Sequence, residues 1–206
     1  ILTCDWSSDV CSSDLMLAEL GFTALAVDMY GNGQVADNPD DAGRLMSGVL
    51  SDMGQAESRL AAALEYLQSH ETVDARRIAA IGYCFGGAMV LHAARTGMPL
   101  AGVVSFHGAL GSAHKPAPGS VHAKVLVCHG ADDSLVPEAD VAALEEEMKA
   151  AGADLRFIAY PGALHGFTNP DADANGKKYG LPLAYSEEVD RRSWQEMQSF
   201  FDEIFA

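Results

Sequence analysis

The sequence predicts an α/β protein with a mostly parallel, doubly wound sheet. Short, almost wholly apolar segments alternate with longer segments of helical period, which is the pattern of strands that helices cover on both faces. Glycine-containing polar motifs follow directly after these apolar segments, at the edge where open parallel sheets place their ligands. The 206 residues suit one such domain.

The predicted elements follow one another from Met16. The strands are predicted at residues 22–30, 77–84, 100–108, 124–130 and 155–160. One helix ends at Gly21, and the others are predicted at residues 44–69, 86–97, 137–152 and 186–206. The connections at 31–43, 111–123 and 161–182 are rich in turn-forming residues. The last of these is long for a compact domain, which favours a functional role.

Residues 1–15 differ from the rest of the chain. They are rich in Ser and Asp and have no helical or strand period. The stretch Cys4 to Leu15 resembles the one-frame translation of a short-read sequencing adapter. We therefore interpret residues 1–15 as a non-native leader and residues 16–206 as a single domain truncated at its N-terminus. The competing interpretation is a natural disordered leader.

Composition and charge exclude several classes of function. The net charge of −16 and the absence of a basic stripe argue against nucleic-acid binding. No apolar run is long enough to cross a bilayer, and no secretory signal precedes Met16, so a cytoplasmic protein without membrane contact is expected. Because no export signal is seen, the four cysteines predict no disulfide framework, and because no pair has Cys-x-x-Cys spacing, they predict no zinc or redox site.

The segment from Gly82 to Gly87 has the form of a nucleophile elbow with cysteine as the nucleophile. Glycines two residues before and two after Cys84 allow the backbones of a sharp strand-to-helix turn to approach. Cys84 then stands at a helix N-terminus, whose dipole favours a thiolate, and the backbone N–H of Phe85 can donate to an oxyanion. A buried cysteine in a tight turn is the structural alternative.

A carboxylate and a histidine follow two later strands. Asp132 and Asp133 both follow the strand at 124–130, and Asp133 is preferred because Ser-Leu-Val leads from it into Pro137. His165 lies in the loop after the last strand. Taken singly, these could be a solvated Asp pair and a surface histidine. The chain order of nucleophile, acid and histidine nevertheless matches that of α/β-hydrolases.

With these motifs in place, residues 16–206 resemble the dienelactone hydrolase family of the α/β-hydrolase fold. The resemblance implies that Cys84 attacks an ester or lactone carbonyl, that His165 moves the proton and that Asp133 holds the tautomer of His165, without metal or organic cofactor. The supporting stretches lie at residues 24–33, 78–87, 102–110, 125–137, 163–170 and 180–201.

Two departures from the family pattern affect the expected substrate and rate. A second oxyanion donor, and a carboxylate that restrains the resting thiol, would precede Met16, so weak activity is expected of the chain as written. Asn169 occupies the position of an Arg that binds the substrate carboxylate in family members that cleave dienelactone. We therefore expect a related small ester, lactone or thioester, bound near Asn169 and His107. A structural hydrogen bond is the alternative for His107 and for His129.

The leading hypothesis is thus a hydrolase of small carboxylic esters or lactones that works through a thioacyl intermediate. A thioesterase or acyltransferase on the same scaffold is the nearest alternative, and a non-catalytic binding domain with a hydrolase fold is the alternative from another class. The expected partner is a small-molecule substrate, and the chain is expected to be a monomer or a weak homodimer.

Overall fold

The computed structural model describes residues 1–4 and 10–206 and contains one six-stranded sheet. All strand pairs are parallel, and the order across the sheet is β2-β1-β3-β4-β5-β6. The strands are β1 (Leu2–Cys4), β2 (Leu25–Ala26), β3 (Ala79–Tyr83), β4 (Gly102–Phe106), β5 (Lys124–Gly130) and β6 (Leu155–Tyr160). The parallel α/β architecture predicted from the alternating pattern is therefore confirmed.

Seven helices are assigned in the described part of the chain. They are α1 (Val10–Glu19), α2 (Pro39–Leu50), α3 (Met53–Ser69), α4 (Phe85–Arg95), α5 (Glu138–Ala151), α6 (Ala172–Tyr179) and α7 (Glu187–Ile204). The single helix predicted at 44–69 is wrong, because α2 ends at Leu50 and Asp52 caps α3 by accepting from the backbone N–H of Gln55. The loop predicted at 161–182 contains α6.

Helices cover both faces of the sheet. The middle strands β3 and β4 are buried along their whole length, as expected for strands between two helical layers. One apolar core contains Val103 together with residues of α3, α4 and α5. The other contains Val104, the next residue of the same strand, with Leu17 of α1 and Met197 of α7. Alternate side chains of one strand thus enter opposite cores, which makes the sheet doubly wound.

The first residues of the chain enter the sheet, although residues 1–15 were predicted to lie outside the domain. The backbone of β1 pairs with β2 on one side and β3 on the other, and α1 begins at Val10 rather than at Met16. The leader hypothesis concerns the origin of residues 1–15 and stays a prediction. Residues 5–9 of that leader lie outside the described residues.

The register of the sheet brings the ends of the late strands to one edge. Tyr83 pairs with Phe106, and Phe106 pairs with Cys128. The residues that follow, Cys84 and His107, are therefore neighbours at the carboxyl edge of the sheet. Across the part of the chain that the structure describes, none of the helices has the length and apolar content of a membrane span.

Candidate active site

Cys84 sits at a sharp turn between β3 and α4. Its φ of 50° lies in the left-handed region, which is uncommon for a residue with a side chain. Its backbone N–H donates to the carbonyl of Phe106 at 3.0 Å, which anchors the turn to β4. A side chain at Gly82 would overlap the backbone of Gly86. The glycine spacing of the motif therefore meets a real steric requirement of the elbow.

Asp133 lies in the turn after β5 and is buried, whereas the neighbouring Asp132 is exposed. One carboxylate oxygen of Asp133 accepts from the backbone N–H of Leu135 at 2.9 Å. The other lies 2.8 Å from Nδ1 of His165. Of the two aspartates that the sequence left open, Asp133 is the one that contacts the histidine.

His165 connects the other two side chains. Its Nδ1 faces Asp133, and its Nε2 lies 3.1 Å from Sγ of Cys84. The side chain of His165 is 10% exposed, so water has limited access to either contact. Sulfur, imidazole and carboxylate, which are separated by up to 81 positions in the chain, form one hydrogen-bonded row.

The row favours a charged imidazole. Burial by itself lowers the pKa of His165, but the hydrogen bonds and charges of Asp133 and Cys84 outweigh it and raise the pKa to about 10. The second cysteine among the described side chains behaves differently, because burial raises the pKa of Cys128 to about 12. Cys128 is fully buried in β5. Of these two described cysteines, Cys84 is the one whose thiol faces a basic group.

The remaining predicted site residues occupy different positions. Phe85 is the first residue of α4, so its N–H belongs to the helix end at which an anion is favoured. Asn169 is half-buried, and its side-chain oxygen accepts from the backbone N–H of Asp171 at 2.8 Å. His107 is buried, and its Nε2 lies 2.8 Å from Oγ1 of Thr168. Both Asn169 and His107 are therefore engaged by the protein itself.

Two neighbours of the site were not among the predicted site residues. Tyr30 stacks on Phe85 with ring centroids 5.9 Å apart and an interplanar angle of 7°, and Thr168 meets His107. No pattern in the sequence marks Thr168, because its contact with His107 depends on the fold. Within the described ranges no group of three or more His, Cys, Asp or Glu side chains could hold a metal ion.

The parallel sheet with helices on both faces has the α/β-hydrolase fold. A solved α/β-hydrolase from a deep-sea metagenome library has the same fold, with a TM-score of 0.60 at 18% identity over 98% of this chain and 84% of that chain. The family model of the dienelactone hydrolase family matches residues 7–205. The chain belongs to the dienelactone hydrolase family.

Individual relatives agree with this assignment. A dienelactone hydrolase-like promiscuous phosphotriesterase from metagenomic libraries has a TM-score of 0.89 at 35% identity, covering 98% of this chain and 85% of that chain. An uncharacterized protein of Caenorhabditis elegans is 34% identical over 74% of this chain and 96% of its own length. A candidate carboxymethylenebutenolidase of Methylorubrum extorquens is 28% identical over 94% of this chain, which spans 65% of that relative.

Proposed function

We propose that this protein hydrolyses small carboxylic esters or lactones through a thioacyl intermediate on Cys84. The observation that carries the proposal is the hydrogen-bonded row in which His165 contacts Cys84 Sγ at 3.1 Å and Asp133 at 2.8 Å. A nucleophile within reach of a base that a third group orients is the recurring arrangement of acyl-transfer enzymes.

Acylation follows from this arrangement. The thiolate of Cys84 attacks the substrate carbonyl carbon, and the carbonyl electron pair moves to the oxygen. The N–H of Phe85 donates to this oxyanion. When the carbonyl re-forms, the carbon–oxygen bond of the ester breaks, and Nε2 of the His165 imidazolium gives its proton to the departing alkoxide. A lactone opens in the same way, but its alcohol stays attached to the acyl group.

Deacylation reverses the roles. His165, now neutral, accepts a proton from water through Nε2 while the water oxygen attacks the thioester carbon. Collapse of the second oxyanion expels the Cys84 thiolate and leaves a carboxylic acid. Throughout both steps Asp133 accepts from Nδ1–H of His165, which keeps Nε2 directed at the reacting atoms.

The substrate class rests on the residues around the row. Asn169 carries no positive charge and its side-chain oxygen is held in a turn, so we propose substrates whose binding does not need a cation at this position. The name of the Methylorubrum extorquens relative supports a lactone, and that of the metagenomic relative makes a phosphotriester a reasonable further substrate to assay. Comparing the rates with matched esters, lactones and thioesters distinguishes an esterase or lactonase from a thioesterase. Adding an alcohol acceptor reveals acyl transfer.

Trapping the thioacyl intermediate tests the proposal. A chromogenic acetate ester is mixed with the protein, the reaction is quenched in acid, and the peptides are mapped by mass spectrometry. We expect one acetyl group on the peptide that contains Cys84 and none on the peptide that contains Cys128. Iodoacetamide treatment beforehand should abolish both acetylation and turnover. Turnover that survives complete alkylation of Cys84 would contradict the proposal.

The pH dependence of turnover should reflect the raised pKa of His165. Because that pKa is about 10, the imidazolium persists in neutral solution and loses its proton only as the pH rises through about 10. We expect kcat/KM for the chromogenic ester to fall along this alkaline limb, since the leaving alkoxide then lacks its proton donor. The rates of Cys84→Ala provide the blank for base hydrolysis. An alkaline limb near the ordinary histidine pKa of about 6.5 would contradict the expectation.

A further inference from the structure

His107 adopts an unusual conformation directly beside the row. It follows β4 with a φ of 38°, a left-handed value that is uncommon outside glycine. Its backbone N–H donates to the carbonyl of Cys128 at 2.8 Å, which fixes this conformation to the neighbouring strand β5. The side chain is 4% exposed, so it contributes little surface to a substrate. A strained, buried histidine at this edge of the sheet is therefore expected to act through contacts with other residues of the protein.

The imidazole of His107 contacts the segment that carries His165. Its Nε2 meets the hydroxyl of Thr168 at 2.8 Å. Its ring lies edge-on to the ring of His165, with centroids 5.1 Å apart, and edge-on to that of Phe167 at 5.0 Å. Three of the four residues from His165 to Thr168 thus touch His107. The position of His165 relative to Cys84 depends on how this segment is held.

The protonation state of His107 suits such a contact. Burial, and next the charge of His165, hold the pKa of His107 well below its ordinary value, so the ring is neutral. Its ring contacts with titratable groups are those to His165 and Tyr83. Nδ1 is buried without a hydrogen-bond partner among the described residues. The hydrogen bond between Nε2 and the Thr168 hydroxyl forms with either neutral tautomer, because a hydroxyl can donate or accept.

We propose that His107 and Thr168 are a positioning pair. Their contact holds the segment from His165 to Thr168 and so directs Nε2 of His165 at Sγ of Cys84. The proposal rests on the proposed function, because it assigns a purpose to the contact between His165 and Cys84. A neutral imidazole is well suited here, since it binds the segment without placing a second positive charge beside the imidazolium. Neither residue touches the reacting atoms, so their effect passes through His165.

Removing the Thr168 hydroxyl tests the pair. Thr168→Val keeps the branched shape but loses the hydroxyl, whereas Thr168→Ser keeps the hydroxyl. The readout is the rate of Cys84 alkylation by iodoacetamide as a function of pH, followed by peptide mapping. Because the thiolate depends on a well-placed imidazolium, we expect the pH midpoint to rise by about one unit in Thr168→Val. Thr168→Ser should restore the midpoint. In Thr168→Val kcat should fall about tenfold while KM changes little.

Two further variants make the result specific. Thr96→Val is the matched control, because this half-buried threonine loses a hydroxyl that bonds carbonyls of α4 away from the site. His107→Asn removes the imidazole at a position whose left-handed backbone Asn tolerates. It should shift the midpoint as Thr168→Val does, and the double variant should add little.

The outcomes separate this proposal from the proposed function. A midpoint in Thr168→Val that coincides with that of Thr96→Val overturns the positioning pair. So does a double variant whose shift is the sum of the two single shifts. Catalysis that survives Cys84→Ala overturns the proposed function instead, and the alkylation midpoints still decide whether His107 and Thr168 place His165 against the thiol.

Discussion

Cys84→Ala is expected to reduce ester hydrolysis to the background rate, a loss of about 10⁴-fold or more. The methyl group of alanine cannot form the thioacyl bond, so the remaining imidazole and carboxylate have no nucleophile to activate. Binding and the oxyanion donor stay in place, and they contribute only the small residual rate that such sites retain without their nucleophile. Initial rates with a chromogenic acetate ester, at matched protein concentration and fold content, measure the loss.

Cys128→Ala is the matched control for this loss. Cys128 is buried in β5, and its raised pKa of about 12 keeps it a thiol, so it should not accept an acyl group. Its replacement leaves a small cavity, which lowers the free energy of unfolding but leaves kcat within about twofold. Cys84→Ser adds a graded test, because a hydroxyl at the same place is less acidic than a thiol. If Cys84→Ala retained a tenth of the activity, another nucleophile would have to be sought.

The parts of the fold that local pattern determines were predicted well. β3, β4 and β5 are covered by helices on both faces, so almost all their residues are buried and apolar. The apolar composition of each segment was therefore enough to predict these strands. β2 was predicted at 22–30 but spans Leu25–Ala26, because it lies at the edge of the sheet and pairs on one side only. The break between α2 and α3 was missed although Asp52, the N-cap of α3, is followed three positions later by Gln55, which is a pattern typical of a helix start.

The candidate site also has parts that the sequence predicts and parts that it does not. Gly82, Cys84 and the following glycines form a local motif whose spacing already contains the geometry of the turn. Asp133 and His165 could be selected because parallel strands end at one edge, so residues after successive strands converge. The contact of His107 with Thr168 joins positions 61 apart and depends on side-chain orientation. Neither period nor motif encodes such a contact, so it required coordinates.

Gly82→Ala is expected to disrupt the elbow, to abolish activity and to destabilise the fold strongly. The added Cβ would overlap the carbonyl group of Gly86 and lie 2.6 Å from the backbone nitrogen of Gly87. These are backbone atoms of α4, so no side-chain rotation relieves the overlap, and β3 and α4 must separate. Both elements are buried, so we expect a loss of more than about 4 kcal/mol in the free energy of unfolding, at the upper end for single substitutions. Urea unfolding followed by circular dichroism measures this loss.

Gly48→Ala separates this steric effect from the general effect of adding a methyl group to glycine. Gly48 lies in α2, where a Cβ meets no atom within 4 Å. Alanine favours helix over glycine, so this variant should gain about 0.5–1 kcal/mol and keep full activity. If Gly82→Ala instead unfolded at the same urea concentration as the parent chain, the strand and helix would not approach as closely at the elbow as described. The alignment of Cys84 with His165 could then not be explained by the close approach of β3 and α4.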